Sequence, residues 1–284
     1  MKAFDVKYKS AGKKITGFIC EPDKINKDTG IMLVVHGHGN NRFQYKKMME
    51  DFCNRYNVVC ASPEYRGCGY DANKKTGHGV KFPYDYNYKQ VTDTLNLLKY
   101  CLNKYKPKNG RLIAWGGSQG GHNVLLCSVF AKNTFCLTID ACGPVKPHRN
   151  LKKILGRVFS AKELYIRNVL NFTDRITNKV YIFHGTGDRI VKVKDSYNLE
   201  KALKSHGAPY FAHYVKGGDH FLGPKTTREK ATVKYASKDI LKLRRKGKND
   251  FELKSKFIVG CGKTKYLIDF SKEVVDIRAR IWMR

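Results

Sequence analysis

Arg111-Leu-Ile-Ala-Trp-Gly-Gly-Ser-Gln-Gly-Gly-His122 is the stretch that decides the fold. An apolar run of strand length ends at Trp115, a turn of small residues follows, and the helix-like segment His122–Phe130 begins at once. Ser118 stands at the centre, with Gly116 and Gly120 two positions to either side. A strand that turns sharply into a helix with one side chain at the apex needs glycine on both flanks, because a Cβ there would meet strand or helix backbone. In that setting the pattern G-x-S-x-G marks Ser118 as a nucleophile.

Outward from this turn the chain alternates strands with helices. Ile31–Val35, Val58–Ala61, Leu112–Trp115, Phe135–Ile139, Val180–Phe183 and Tyr210–Val215 are short apolar runs, as strands covered on both faces require. Helical segments are expected near 43–54, 87–104, 119–131, 160–170 and 193–205. Ahead of them Phe4–Tyr8 and Ile15–Ile19 read as an antiparallel hairpin ended by Pro22. The expected fold is α/β: a mostly parallel twisted sheet with helices on both faces, its ligand site at the carboxyl ends of the strands.

A catalytic domain over 1–247 is expected, with a short lid about 141–178, followed by a basic β-hairpin extension over 248–284. Thr226-Thr-Arg-Glu229 reads as a capping box for one more helix, with Gly247 as its C-cap. Phe251, Leu253, Phe257 and Val259 read as the first arm of the hairpin, and Tyr266–Phe270 as the second. The alternation after Val275 fits a third strand or a short helix.

A serine hydroxyl is a weak nucleophile until a base takes its proton and a third group holds that base in the right tautomer. In this topology the acid and the histidine follow the serine, each just after a later strand. Asp188 stands after the 180–183 strand in His184-Gly-Thr-Gly-Asp188, and His220 after the 210–215 strand in Gly217-Gly-Asp-His-Phe221. Ser118, Asp188 and His220 are therefore the candidate triad. Asp195 and Asp219 are the rival acids and His213 the rival base, with Asp195 inside a helix and His213 inside a strand. The oxyanion donors are assigned to the backbone N–H groups of Gln119, at a helix start, and of His38, in the loop His36-Gly-His-Gly-Asn40. His36 and His38 lack a third ligand at metal-site spacing, so no metal and no cofactor is expected.

Composition bounds the rest. The 284 residues carry 55 Lys and Arg against 24 Asp and Glu, a net charge of +31 spread along the chain. That charge attracts polyanions, so a hydrolase-fold protein holding a polyanionic partner is the alternative to an enzyme acting on a small-molecule or peptide acyl substrate. The nine cysteines are scattered singly, and neither a signal-peptide block nor a run of transmembrane length is present. A reduced, soluble, cytoplasmic protein is expected.

The hairpin, His36-Gly-His-Gly39, Glu64-Tyr-Arg-Gly-Cys-Gly-Tyr70, Gly116-Gly-Ser-Gln-Gly-Gly121, His184-Gly-Thr-Gly-Asp188 and Gly218-Asp-His-Phe221 occur in one order that resembles the α/β-hydrolase superfamily. The branch they resemble is the catalytic domain of prolyl-oligopeptidase-like serine peptidases and related esterases and dienelactone-hydrolase-like enzymes. The resemblance spans roughly residues 1–222. It implies an α/β-hydrolase fold and cleavage of an ester or amide through an acyl-enzyme on Ser118. The basic residues of the lid (Lys146, Arg149, Lys152, Lys153, Arg157, Lys162, Arg167 and Arg175) suggest an anionic acyl or leaving group.

Overall fold

The computed structural model describes residues 1–147, 155–261 and 263–281. Eight strands form one twisted sheet in the order β1-β2-β4-β3-β5-β6-β7-β8. They are β1 Lys2–Ser10, β2 Lys13–Glu21, β3 Gly30–Val35, β4 Val58–Pro63, β5 Leu112–Gly117, β6 Leu137–Ala141, β7 Lys179–Gly185 and β8 Tyr210–Val215. The pairs β1·β2 and β2·β4 are antiparallel and every later pair is parallel. The central strands β3 to β6 are buried at every residue, which is why their sequences do not alternate.

Helices α1 Lys46–Tyr56, α2 Lys89–Tyr105, α3 Gln119–Phe130, α4 Ala161–Arg167, α5 Lys194–Ser205 and α6 Arg228–Lys242 flank the sheet. Two apolar cores result, one per face: Leu33, Ala114, Val124 and Leu125 belong to the first, Val34, Ile113, Trp115 and Phe52 to the second. No helix among the described residues is long and apolar enough to cross a membrane.

The C-terminal segment differs in detail from the sequence reading. Helix α6 is capped by Thr227, whose hydroxyl accepts from the Lys230 amide, one residue later than the capping box placed it. This frame puts Arg228 at the first helical position, where it reaches the carbonyl of His220. The helix stops at Lys242, and Gly247 is not its cap, because the Arg245 amide already pairs with the Gly110 carbonyl. Phe251 and Leu253 lie in a one-turn helix, α7 Asp250–Leu253, and not in a strand. The apolar alternation is overridden here by a local cap: Asn249 accepts from the Phe251 and Glu252 amides while Glu252 accepts from the Asn249 amide.

A three-stranded antiparallel sheet follows, β9 Lys256–Cys261, β10 Thr264–Asp269 and β11 Ile277–Ile281, in the order β11-β10-β9. The third strand resolves the strand-or-helix alternative; Trp282 lies outside the described residues. Val259, Tyr266, Ile268, Phe270, Val275 and Ile277 are buried in the same core as α2 and α3. Asn96 of α2 fixes the approach, accepting from the Val275 amide at 2.9 Å and donating to its carbonyl at 2.8 Å. Phe270→Ala is therefore expected to destabilise the whole hydrolase sheet by about 3–5 kcal/mol. A single, lowered urea midpoint followed by tryptophan fluorescence, with no separate early transition, checks this.

Candidate active site

Ser118 lies between β5 and α3 with φ 58° and ψ −125°. A non-glycine residue held there stores on the order of 1–3 kcal/mol, which the surroundings must impose. The Ser118 amide donates to the Ala141 carbonyl at 2.9 Å, and its own carbonyl accepts from the Gly121 amide at 2.9 Å. A Cβ on Gly116 would collide with the Gly120 carbonyl, and one on Gly120 with the Val35 carbonyl. Glycine at both positions lets strand and helix backbones touch, and the contact forces the apex outward.

The structure brings the three candidate residues together. His220 Nδ1 is 2.7 Å from Asp188 Oδ2, and His220 Nε2 is 2.9 Å from Ser118 Oγ. A carboxylate only accepts, so Nδ1 carries the imidazole proton and Nε2 presents its lone pair to the serine hydroxyl. The rivals are elsewhere: Asp195 lies in α5, Asp219 accepts from the Phe221 and Gly223 amides, and His213 stacks on Tyr235 with ring centroids 4.3 Å apart.

Asp188 is saturated with donors. The Ile190 and Val191 amides bond Oδ1 at 2.8 and 2.9 Å, and His184 Nε2 approaches Oδ2 at 3.1 Å. Burial alone would raise this carboxyl, but the bonds from His184, His220 and the Val191 amide outweigh it and hold the group well below the usual carboxylate range. His184 itself is fixed by Ser196 Oγ at 2.7 Å from Nδ1 and the Val191 carbonyl at 2.9 Å from Nε2, so Nε2 is its donor. His184 opens the His184–Asp188 motif, where the residue pattern by itself assigns a role only to the acid. Its position four residues before the acid, at the end of a buried strand, is the signal that was there.

Around the serine, the Gln119 amide is the first of α3 and has no acceptor within the helix. The His36–Asn40 loop borders the same point, with the Cβ position of Gly37 3.4 Å from Ser118 Cβ. The His38 ring bonds Gln119 Oε1 at 3.1 Å and meets the Tyr84 ring edge-on; burial pushes its pKa down. The Gln119 amide group is gripped further by Tyr84 Oη at 3.0 Å and Gln90 Oε1 at 2.9 Å, while Asn87 Nδ2 bonds the Gln119 carbonyl at 3.0 Å. None of Tyr84, Asn87 or Gln90 was legible as a site residue, since each comes from a loop or helix start far from the strand ends in sequence.

Two buried arginines brace this arrangement. Arg228 donates to the His220 carbonyl and, at 2.9 Å, to Tyr45 Oη. Arg167 of α4 donates to the carbonyls of Asp85, Tyr86 and Glu163, and its own carbonyl is 2.7 Å from His122 Nε2. Arg157 pairs with Glu163, and Arg175 donates to the Val129 carbonyl beneath Phe257. These three lid cations are consumed within the fold and do not roof a pocket for an anionic substrate; Arg149, Lys152 and Lys153 lie outside the described residues. Cys142, His184 and Asp188 form a compact trio of ligand-type side chains. Burial pushes the Cys142 thiol up to about 11, which keeps it protonated, and both His184 nitrogens are already bonded. The trio reads as support for the acid.

Fold and site geometry are those of an α/β-hydrolase. Within that class, residues 48–238 match the model of the prolyl oligopeptidase family, and the chain belongs to that family, one of serine hydrolases. It is 25% identical over 221 residues to dipeptidyl peptidase family member 6 of Caenorhabditis elegans, a match covering 70% of this chain and 29% of that protein. Among solved structures it resembles the acylaminoacyl peptidase of Pyrococcus horikoshii (14% identity, TM-score 0.70, 87% of this chain and 42% of that one). It also resembles Est1E of Butyrivibrio proteoclasticus, solved with ferulic acid bound (16% identity, TM-score 0.62, 83% and 96%).

The Asp188 environment makes a stability prediction. A carboxyl whose folded pKa is depressed stabilises the fold above its unfolded value and loses that contribution as pH falls through the folded one. Asp188→Asn is expected to be less stable than wild type at pH 7, and the gap should narrow as pH drops below about 3.9. Urea denaturation across that range measures it.

Proposed function

We propose that the protein is a serine hydrolase that cleaves an ester or amide through an acyl-enzyme on Ser118. The observation that carries this reading is the hydrogen-bonded line Ser118–His220–Asp188 with the serine at a strained strand–helix apex. Ser118 Oγ attacks the carbonyl carbon as His220 Nε2 takes its proton. The N–H groups of Gln119 and His38 receive the oxyanion. Collapse expels the alcohol or amine, which takes the proton from Nε2. Water then repeats the sequence against the acyl group, its proton passing to His220 and back to Ser118, and the acid leaves. Asp188 stays ionised throughout and stabilises the imidazolium.

Phe221 and Ile190, 57% and 67% exposed, flank the base and the acid. Exposed apolar side chains next to the base and the acid support a substrate with an apolar group beside the scissile bond. The family's peptidases and the esterase likeness support amides and esters alike, and a panel of p-nitrophenyl acyl esters beside aminoacyl amides ranks them by kcat/KM.

A fluorophosphonate probe is expected to label the wild type and not Ser118→Ala, whose kcat should fall on the order of 10⁴ to 10⁶. An unlabelled wild type overturns the reading. His184→Gln removes the imidazole donor from Asp188, leaving more negative charge opposite His220. The acid limb of kcat/KM should move to higher pH, while labelling at alkaline pH persists.

A further inference from the structure

Two recesses open at the amino ends of the parallel strands, at the opposite end of the sheet from Ser118. The first, about 410 Å³, lies between the 107–110 turn that leads into β5 and the 244–249 segment that follows α6. The second, about 320 Å³, lies between the 25–29 turn before β3 and the end of α2. Pro107 and Lys108 line both, so the two join into one track. The Arg245 amide on the Gly110 carbonyl and Asn109 Nδ2 on the Lys27 and Thr29 carbonyls hold its walls together.

Lys27, Lys106, Lys108, Arg244, Arg245 and Lys246 line this track against the single carboxylate of Glu252. Among the described residues none of the six cations is in an ion pair. Arg244 donates to the Leu241 and Leu243 carbonyls, and Arg245 to the Phe135 carbonyl, Thr177 Oγ1 and Asn133 Oδ1, without neutralising either charge, and the four lysines carry the freest ammonium groups. A third recess, between the β1–β2 hairpin and the residues before β11, is a useful contrast. Three of its five cations, Lys9, Lys13 and Arg278, are paired with Glu273, Asp71 and Asp276, and only Lys7 and Lys14 are not. Basic side chains near helix carboxyl ends complement the helix dipole. Lys27 and Lys246 lie outside any helix, so that role does not account for the track.

We propose that this track binds the phosphodiester backbone of a single-stranded nucleic acid, without regard to sequence, leaving the Ser118 site free. Unpaired cations spaced along a concave path attract a flexible polyanion and release its counterions. The concavity separates this ligand from a bilayer, which meets a protruding surface. Among the described residues, Ile25 is the only large exposed aliphatic side chain lining the track.

The test is fluorescence anisotropy of the full chain with a labelled oligo(dT) of about 20 nucleotides, between about 50 and 300 mM salt. If all six cations engage phosphates, log Kobs is expected to fall with log salt at a slope of about −4. The quadruple variant Lys106→Gln, Lys108→Gln, Arg244→Gln, Lys246→Gln should bind at least about tenfold more weakly, with the slope reduced by about 3. Lys7→Gln with Lys14→Gln, at the third recess, should leave both values near wild type. Circular dichroism melting confirms that each variant is folded. Wild-type affinity in the quadruple variant, equal losses in both variants, or no oligonucleotide binding at all would overturn the proposal. So would binding only to vesicles of phosphatidylserine and phosphatidylcholine, which assigns the face to a bilayer.

Discussion

The backbone contact between β5, the start of α3 and β3 is the constraint on which the rest of the molecule turns. Gly116 faces the Gly120 carbonyl and Gly120 faces that of Val35, so three segments approach without side chains between them. Nothing softer than a steric wall would hold Ser118 at a positive φ, and the wall exists only because the sheet carries β3 beside β5 in parallel register. The two apolar cores that bury these strands on both faces thus supply the strain at the apex. Packing energy across the sheet is converted into the aim of one hydroxyl.

Much of this was legible because sterics and periodicity write directly into residue type. Glycines 116 and 120, the fully apolar strands and the loop positions of Asp188 and His220 each follow from a local requirement, and the structure joins Ser118, Asp188 and His220 at hydrogen-bond distance. What was not legible is support that arrives from other elements. Arg228 reaches His220 only because Thr227, and not Thr226, caps α6, although the Thr226–Glu229 spacing favours the other threonine. Tyr84, Asn87 and Gln90 grip Gln119 from a segment with no periodic signal. The misread Phe251–Leu253 turn shows the same limit from the other side. Two alternating apolar residues suggest a strand until the Asn249–Glu252 cap supplies a competing set of bonds.

Charge is divided between two tasks. Buried cations such as Arg167 and Arg228 direct their donors to carbonyls and hold loops in place, whereas the lysines of the amino-end track have no carboxylate partners among the described residues. A composition of +31 conceals this division, since residue counts do not distinguish a structural guanidinium from a free ammonium.

Arg167 has a mechanical consequence. Its guanidinium ties α4 to the carbonyls of Asp85 and Tyr86, the next residue is the Asn87 that bonds Gln119, and its carbonyl bonds His122 in α3. Lid helix, 85–87 turn and Gln119 are therefore tied together by one run of hydrogen bonds. Swinging α4 away as a flap would strand a buried cation without acceptors and loosen the serine's neighbour in the same motion. Among the described residues, α4 is thus a brace for the residue after the serine, so a change that loosens the lid helix reaches the nucleophile's neighbour through hydrogen bonds alone.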